Sequence, residues 1–138
     1  MPHANVVIVT GSREWAFPEA VFRALNEVRP TLVVHGGCSD IKGNYRGADK
    51  WAHEWACSRG IPVRVFNAEW KRDGKQAGPF RNALMLNTYP QAMVLAFPLE
   101  GPGTWGCIKL AKQKRMVVRV FDPFGEYQPG GWKQGELF

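Results

Sequence analysis

Short apolar runs alternate along this chain with longer amphipathic stretches. Five runs rich in β-branched residues stand out at positions 5–10 (NVVIVT), 31–35 (TLVVH), 62–66 (PVRVF), 92–97 (AMVLAF) and 117–121 (VVRVF). Their length and branching predict strands. Most are nearly continuous in apolar character, as in parallel strands buried on both faces; a one-sided antiparallel sheet would alternate apolar with polar. Between the runs, apolar positions recur at spacings of three and four. Pro18 suits a first helical turn, and Val21, Ala24, Leu25 and Val28 follow it. Ala48, Trp51, Ala52, Trp55 and Ala56 repeat the pattern, with Gly60 and Pro62 as the stop. A third helix is predicted over about 79–87. A fourth runs from Thr104 as N-cap through Ile108 and Ala111 to a basic last turn at Lys112, Lys114 and Arg115.

The order β-α-β-α-β-α-β-α-β predicts an α/β, Rossmann-like three-layer fold with a mainly parallel sheet of about five strands. Residues 1–121 form one domain. Residues 122–138, with Gly125, Pro129, Gly130 and Gly131, read as an irregular tail packed on the domain or a partner. In such sheets ligands bind beyond the carboxyl ends of the strands, so the βα loops are where function is expected.

Composition narrows the class. A chain of 138 residues, 45% hydrophobic and 22% charged, holds one core. Gly and Pro together make 25 residues, too few for a disordered chain. No apolar run approaches the roughly 18 residues of a membrane span, and no membrane partner is expected. The start, MPHAN, lacks the basic and apolar regions of a secretory signal. Cys38, Cys57 and Cys107 include no CxxC pair, which argues against a disulfide framework and a zinc site and for a reducing cytoplasm. His3, His35 and His53 have no metal-ligand spacing, and no metal is expected. The net charge of +6 is uneven: residues 1–58 carry six basic and six acidic side chains, residues 59–138 twelve and six. That balance favours an anionic partner, whether nucleotide or nucleic acid.

Each predicted βα loop carries candidate chemistry. Gly11-Ser12-Arg13 offers a hydroxyl and a guanidinium suited to phosphate or ribose, or equally a tight turn with a surface Arg. Gly36 and Gly37 let the backbone approach a ligand closely. Asp49, in a first helical turn, is placed to meet a ligand hydroxyl or simply to favour the helix dipole. The long basic loop after the third strand brings Trp70, a stacking face or equally a core Trp, and Arg81, a bidentate phosphate grip or part of a solvated charge run, followed by Asn82. Pro98, Gly101, Gly103 and Thr104 precede a helix, where open backbone, free N–H groups and the dipole all suit an anion. Gly101, Gly103 and Gly106 also spell GxGxxG with Asp122 about 20 residues on. The match to a dinucleotide fingerprint is poor, because three residues separate Phe97 from Gly101 and the unit is the last βαβ. Cys38 and Cys107 lack a neighbouring base and read as inert thiols.

The ordered blocks VTGSREW, VVHGGC, GADKWAHEWA, FNAEW, GKQAGPFRNALML and AFPLEGPGTWGCIKLAKQKRMVVRVF resemble the SLOG superfamily, named for the Smf/DprA and Lonely Guy proteins. The YspA-like, YpsA-related small proteins of bacteria and phages are the nearest branch. The resemblance implies a Rossmann-like fold that binds nucleotides or nucleotide-derived ligands in these loops, with no other cofactor. Lonely Guy hydrolases carry PGGxGTxxE and an upstream Arg. Pro98, Gly101, Gly103, Thr104 and Arg81 match that pattern, but the position of its Glu falls at Cys107. The resemblance therefore implies a retained binding site without the family's carboxylate.

The expectation is a nucleotide-derivative binding module that senses or sequesters its ligand, with no catalytic residue assigned. The alternatives are a nucleoside monophosphate N-glycosidase using another carboxylate, such as Glu100, Asp49 or Glu69, and binding of single-stranded DNA through the basic half and Trp70, Trp105 and Trp132. The family resemblance, together with six Trp residues, more than one small core readily hides, implies a homodimer or higher oligomer.

Overall fold

The computed structural model describes residues 5–128 and 132–133. The elements are β1 (Val6–Gly11), α1 (Pro18–Val28), β2 (Leu32–His35), α2 (Gly47–Ser58), β3 (Val63–Val65), a four-residue α3 (Trp70–Asp73) running into a 3-10 turn (Gly74–Gln76), α4 (Ala77–Thr88), β4 (Met93–Phe97), α5 (Pro102–Gln113), β5 (Val117–Asp122), β6 (Gly125–Gln128) and β7 (Trp132–Lys133). The sheet order is β3-β2-β1-β4-β5-β6-β7. Its first five strands are parallel, as the apolar runs predict; β6 and β7 are antiparallel. The protein is thus α/β, Rossmann-like, in three layers.

Alternation along each strand sorts the core. Val7, Val9, Leu95 and Phe97 face α1 and α2, packing with Trp15, Val21, Leu25, Ala52 and Trp55. Ile8, Val34 and Val94 face α4 and α5, packing with Met85, Leu86, Cys107 and Ala111. Both faces are buried, which is why these strands lack a polar side. The tryptophans on the first face have partners for their N–H groups: Trp15 donates to the Phe17 carbonyl at 2.9 Å, Trp51 to the Trp15 carbonyl at 3.1 Å and Trp55 to Asn26 Oδ1 at 2.9 Å. Trp70 and Trp105 remain exposed.

Three expectations are corrected. Thr104 is not the N-cap of α5. The helix begins at Pro102 with Gly101 at the cap, because proline's fixed φ suits the first turn, and Thr104 lies inside the helix. The basic stretch after β3 is not all loop, since Trp70–Asp73 closes one helical turn with Arg72 paired to Asp73 at 2.9 Å. The tail is not irregular over residues 125–128 and 132–133. There Asp122 Oδ1 accepts the N–H groups of Phe124 and Gly125 at 2.7 and 3.0 Å and turns the chain back on β5. Arg119 on β5 then grips both oxygens of Glu126 at 2.8 Å and reaches Glu27 on α1. Residues 129–131 and 134–138 lie outside the described residues.

The topology also fixes where loops diverge. The chain steps outward from β1 to β2 and β3, then crosses back to place β4 on the other side of β1. Neighbouring loops after β1 and β4 leave in opposite directions, which opens a crevice at their carboxyl ends.

Candidate functional site

The β1 and β4 ends are tied together at this crevice. Gly11 stands opposite Phe97 in register, and the Ser12 N–H donates to the Phe97 carbonyl at 3.1 Å. Ser12 Oγ accepts the Glu14 N–H at 3.1 Å, which shapes the turn that exposes Arg13. Helix α2 begins directly against this turn. Gly47 has φ +63°, and a Cβ there would strike the Ser12 carbonyl. The turn and the helix start can approach this closely only because residue 47 is glycine.

At the end of β2, His35 is completely buried. The Gly37 N–H donates to His35 Nδ1 at 2.9 Å, so the ring proton sits on Nε2, which faces His53 Nδ1 at 2.9 Å. Burial pushes the His35 pKa down to about 3, and the His53 and Arg81 charges act in the same direction. His35 is therefore neutral, and the 4.0 Å approach of Asp49 Oδ2 to its Nδ1 is not an ion pair. The Tyr45 ring lies against both imidazoles, with centroids 5.1 and 4.6 Å away.

Asp49 sits in the first turn of α2 with 4% of its surface exposed. Oδ2 accepts the Cys38 N–H at 3.0 Å. Oδ1 has no hydrogen-bond partner, the one such buried side-chain atom among the described residues. Burial lifts the carboxyl to about 6, against the opposing pull of the Cys38 N–H, the Arg81 charge and the Gly36 N–H. Cys38, half-buried beside it, has its thiol pushed up by burial and by Asp49, while Arg13 and Arg81 pull the other way.

Arg81, one turn into α4, donates through Nη1 to the Gly36 carbonyl and through Nε to Asn82 Oδ1 at 2.8 Å. These two bonds leave the rest of the guanidinium fork for other partners. Asn82 is buried. Cys107, where the resembling motif has Glu, is fully buried in the layer between the sheet and α5. Burial raises its thiol, so the position holds a neutral group.

After β4, Pro98 is buried and Gly101 takes φ +111° as the cap of α5. No side chain caps this helix, and nothing lies within 4 Å of a Cβ built on Gly101 or Gly103. The first turn of α5 therefore has no side-chain acceptor for its N–H groups, and space is open beside Gly101 and Gly103. The Trp105 indole holds the loop by donating to the Leu99 carbonyl at 3.0 Å.

The fold thus gathers Gly11 to Arg13, Gly36, Gly37, Asp49, Arg81 and Asn82 around one cluster, with Pro98 to Thr104 on the adjoining strand end. Trp70 stands apart on α3, 56% exposed, its ring edge near Gly78. Sequence reasoning missed the His35–His53 pair. Its one local signal is the one-turn spacing of Asp49 and His53 on α2, which puts both toward the end of β2. Among the described residues no group of three or more His, Cys, Asp or Glu is arranged to hold a metal, and no helix is long and apolar enough to cross a membrane.

A parallel sheet of this order, with glycine-bearing loops converging at its switch point, defines a Rossmann-like domain. The chain belongs to the YspA, cpYpsA-related SLOG family, whose pattern it matches over residues 5–72. It is 34% identical over 126 residues to the Gene 61 protein of Mycobacterium phage D29, covering 83% of this chain and 94% of that protein.

Proposed function

We propose that this protein binds a nucleotide or nucleotide-derived ligand at the carboxyl edge of its parallel sheet and acts as a sensor or sequestering module. The observation that carries the reading is the meeting of two guanidinium side chains, Arg13 and Arg81, with a buried carboxylate beside an uncapped helix start. Arg13 and the first-turn N–H groups of α5 suit a phosphate, as does the free part of the Arg81 fork. Gly36 and Gly37 bring backbone to the ligand, while Trp70, apart on α3, is left outside the site.

The test is to denature freshly purified protein and identify any released nucleotide by mass spectrometry, then titrate nucleoside monophosphates calorimetrically. Arg81→Ala should lose roughly 1.5–3 kcal/mol of binding, about 10- to 150-fold in Kd. Unchanged affinity removes Arg81 from the site.

One observation favours hydrolysis of the N-glycosidic bond as a second reading. Asp49 is a buried carboxylate held near the pH at which acid or base catalysis works best. Release of free base from a nucleoside monophosphate, lost in Asp49→Asn, would replace the binding reading with the enzymatic one.

A further inference from the structure

Among the described residues, Asp49 Oδ1 is the single buried side-chain polar atom without a hydrogen bond. A carboxylate oxygen that is sealed from water and unpaired is costly, and such an atom is retained where a partner arrives to satisfy it. The geometry defines what that partner must be. Oδ2 is already occupied by the Cys38 N–H at 3.0 Å, and although the Gly36 N–H also acts on the carboxyl it forms no hydrogen bond to Oδ1, which is the oxygen to be filled. An ionised carboxylate only accepts hydrogen bonds, so the incoming atom must carry a proton. A phosphate oxygen in this position would set anion against anion, whereas a hydroxyl would complete the shell.

The surroundings assign the charged part of the ligand elsewhere. Arg13 and Arg81 both act on the Cys38 thiol next to Asp49, and the start of α5, which no side chain caps, follows β4. A phosphate drawn to these groups leaves the neighbouring portion of the same molecule over Asp49. Solvent does not reach Oδ1 in the folded chain, and the Arg81 charge acts on the same carboxyl. In a nucleotide the portion next to the phosphate is the sugar.

We infer that Asp49 is a specificity-determining residue whose Oδ1 accepts a hydrogen bond from a sugar hydroxyl, so that the site selects ribose-bearing ligands over their deoxy counterparts. The inference rests on the nucleotide-binding reading and narrows it to a substrate class. The proton balance of binding follows. Near pH 6 part of the Asp49 population carries a proton. A hydroxyl donor favours the ionised form, so binding a ribose ligand releases part of that proton.

The experiment titrates wild-type protein and Asp49→Ala with the four ribonucleoside 5′-monophosphates and with their 2′-deoxy and 3′-deoxy forms. It is run at pH 6 in buffers of different ionisation enthalpy. At least one ribonucleotide should bind wild type about 10- to 150-fold more tightly than one of its deoxy forms, the range for a hydrogen bond to a charged group. It should also release protons that the deoxy form does not. Asp49→Ala removes the acceptor altogether, and it should bind ribose and deoxyribose forms alike. Equal affinity of both forms for wild type overturns the inference and leaves the nucleotide reading standing. Discrimination that survives in a folded Asp49→Ala also overturns it, by assigning the selection to another group. Absence of binding by every nucleotide overturns both. The wild-type comparison and its proton release stand even if the variant does not fold.

Discussion

The glycines of the crevice do different jobs. A methyl group on Gly36 would meet the end of the Arg81 guanidinium, which can swing away; one on Gly47 would meet the Ser12 carbonyl, which cannot, and φ +63° adds strain. Gly36→Ala should therefore cost little stability while evicting Arg81 from its carbonyl anchor, whereas Gly47→Ala should lose more than about 1 kcal/mol. Thermal melts beside ligand titrations will separate the two, and equal destabilisation would contradict the contrast. Such residues were legible from type and position, because Gly, Arg and Asp at the ends of predicted strands have few other reasons to cluster. The bonding of Arg81 was not legible, since its carbonyl partner lies 45 residues away on β2's loop. His35 and His53 were overlooked for the same reason: 18 residues separate them, and only the packing of α2 on the end of β2 brings the rings together.

The elements themselves were easier to read. Continuous branched apolar runs fixed the five parallel strands, because a strand buried on both faces leaves no room for polar alternation. β6 escaped notice because Glu126 and Tyr127 carry no apolar run; what makes that strand is a partnership with Arg119. Arg119 is held well above its ordinary pKa, chiefly by its hydrogen bonds to Glu126, which is itself held low by them. Glu126→Ala should cost on the order of 1–2 kcal/mol, between an exposed pair and a bond to a buried charge. Hydrogen exchange should show the loss confined to the amides of β5 and β6. A loss spread evenly over the sheet would mean that the hairpin is integral to the core rather than fastened onto it.

For the whole molecule, two buried groups pull the pH dependence of stability in opposite directions. His35 has a pKa of about 3 in the fold against 6.5 ordinarily, so its contribution is present above pH 6.5 and is lost as the pH falls towards 3. Asp49 stands at about 6 against 3.8, so its contribution is present below pH 3.8 and is lost as the pH rises through 6. Between about pH 4 and 6 the slopes oppose each other, each at most about 1.4 kcal/mol per pH unit. Asp49→Asn leaves His35 uncompensated. Urea melts of the variant should lose stability with acidification more steeply than wild type across that window, and parallel slopes would show that Asp49 holds no extra proton. The outer edges of the sheet differ in a comparable way. β3 offers only three residues, with Arg64 pointing outward and bonded to Tyr89 at 2.9 Å, and is a poor template for another strand. β5 is six residues long and mostly apolar, and β6 pairs with it at Phe121 and Asp122. The Arg119–Glu126 clasp therefore guards solubility as well as stability, because a chain that unfastens it presents a ready seam along which copies can polymerise.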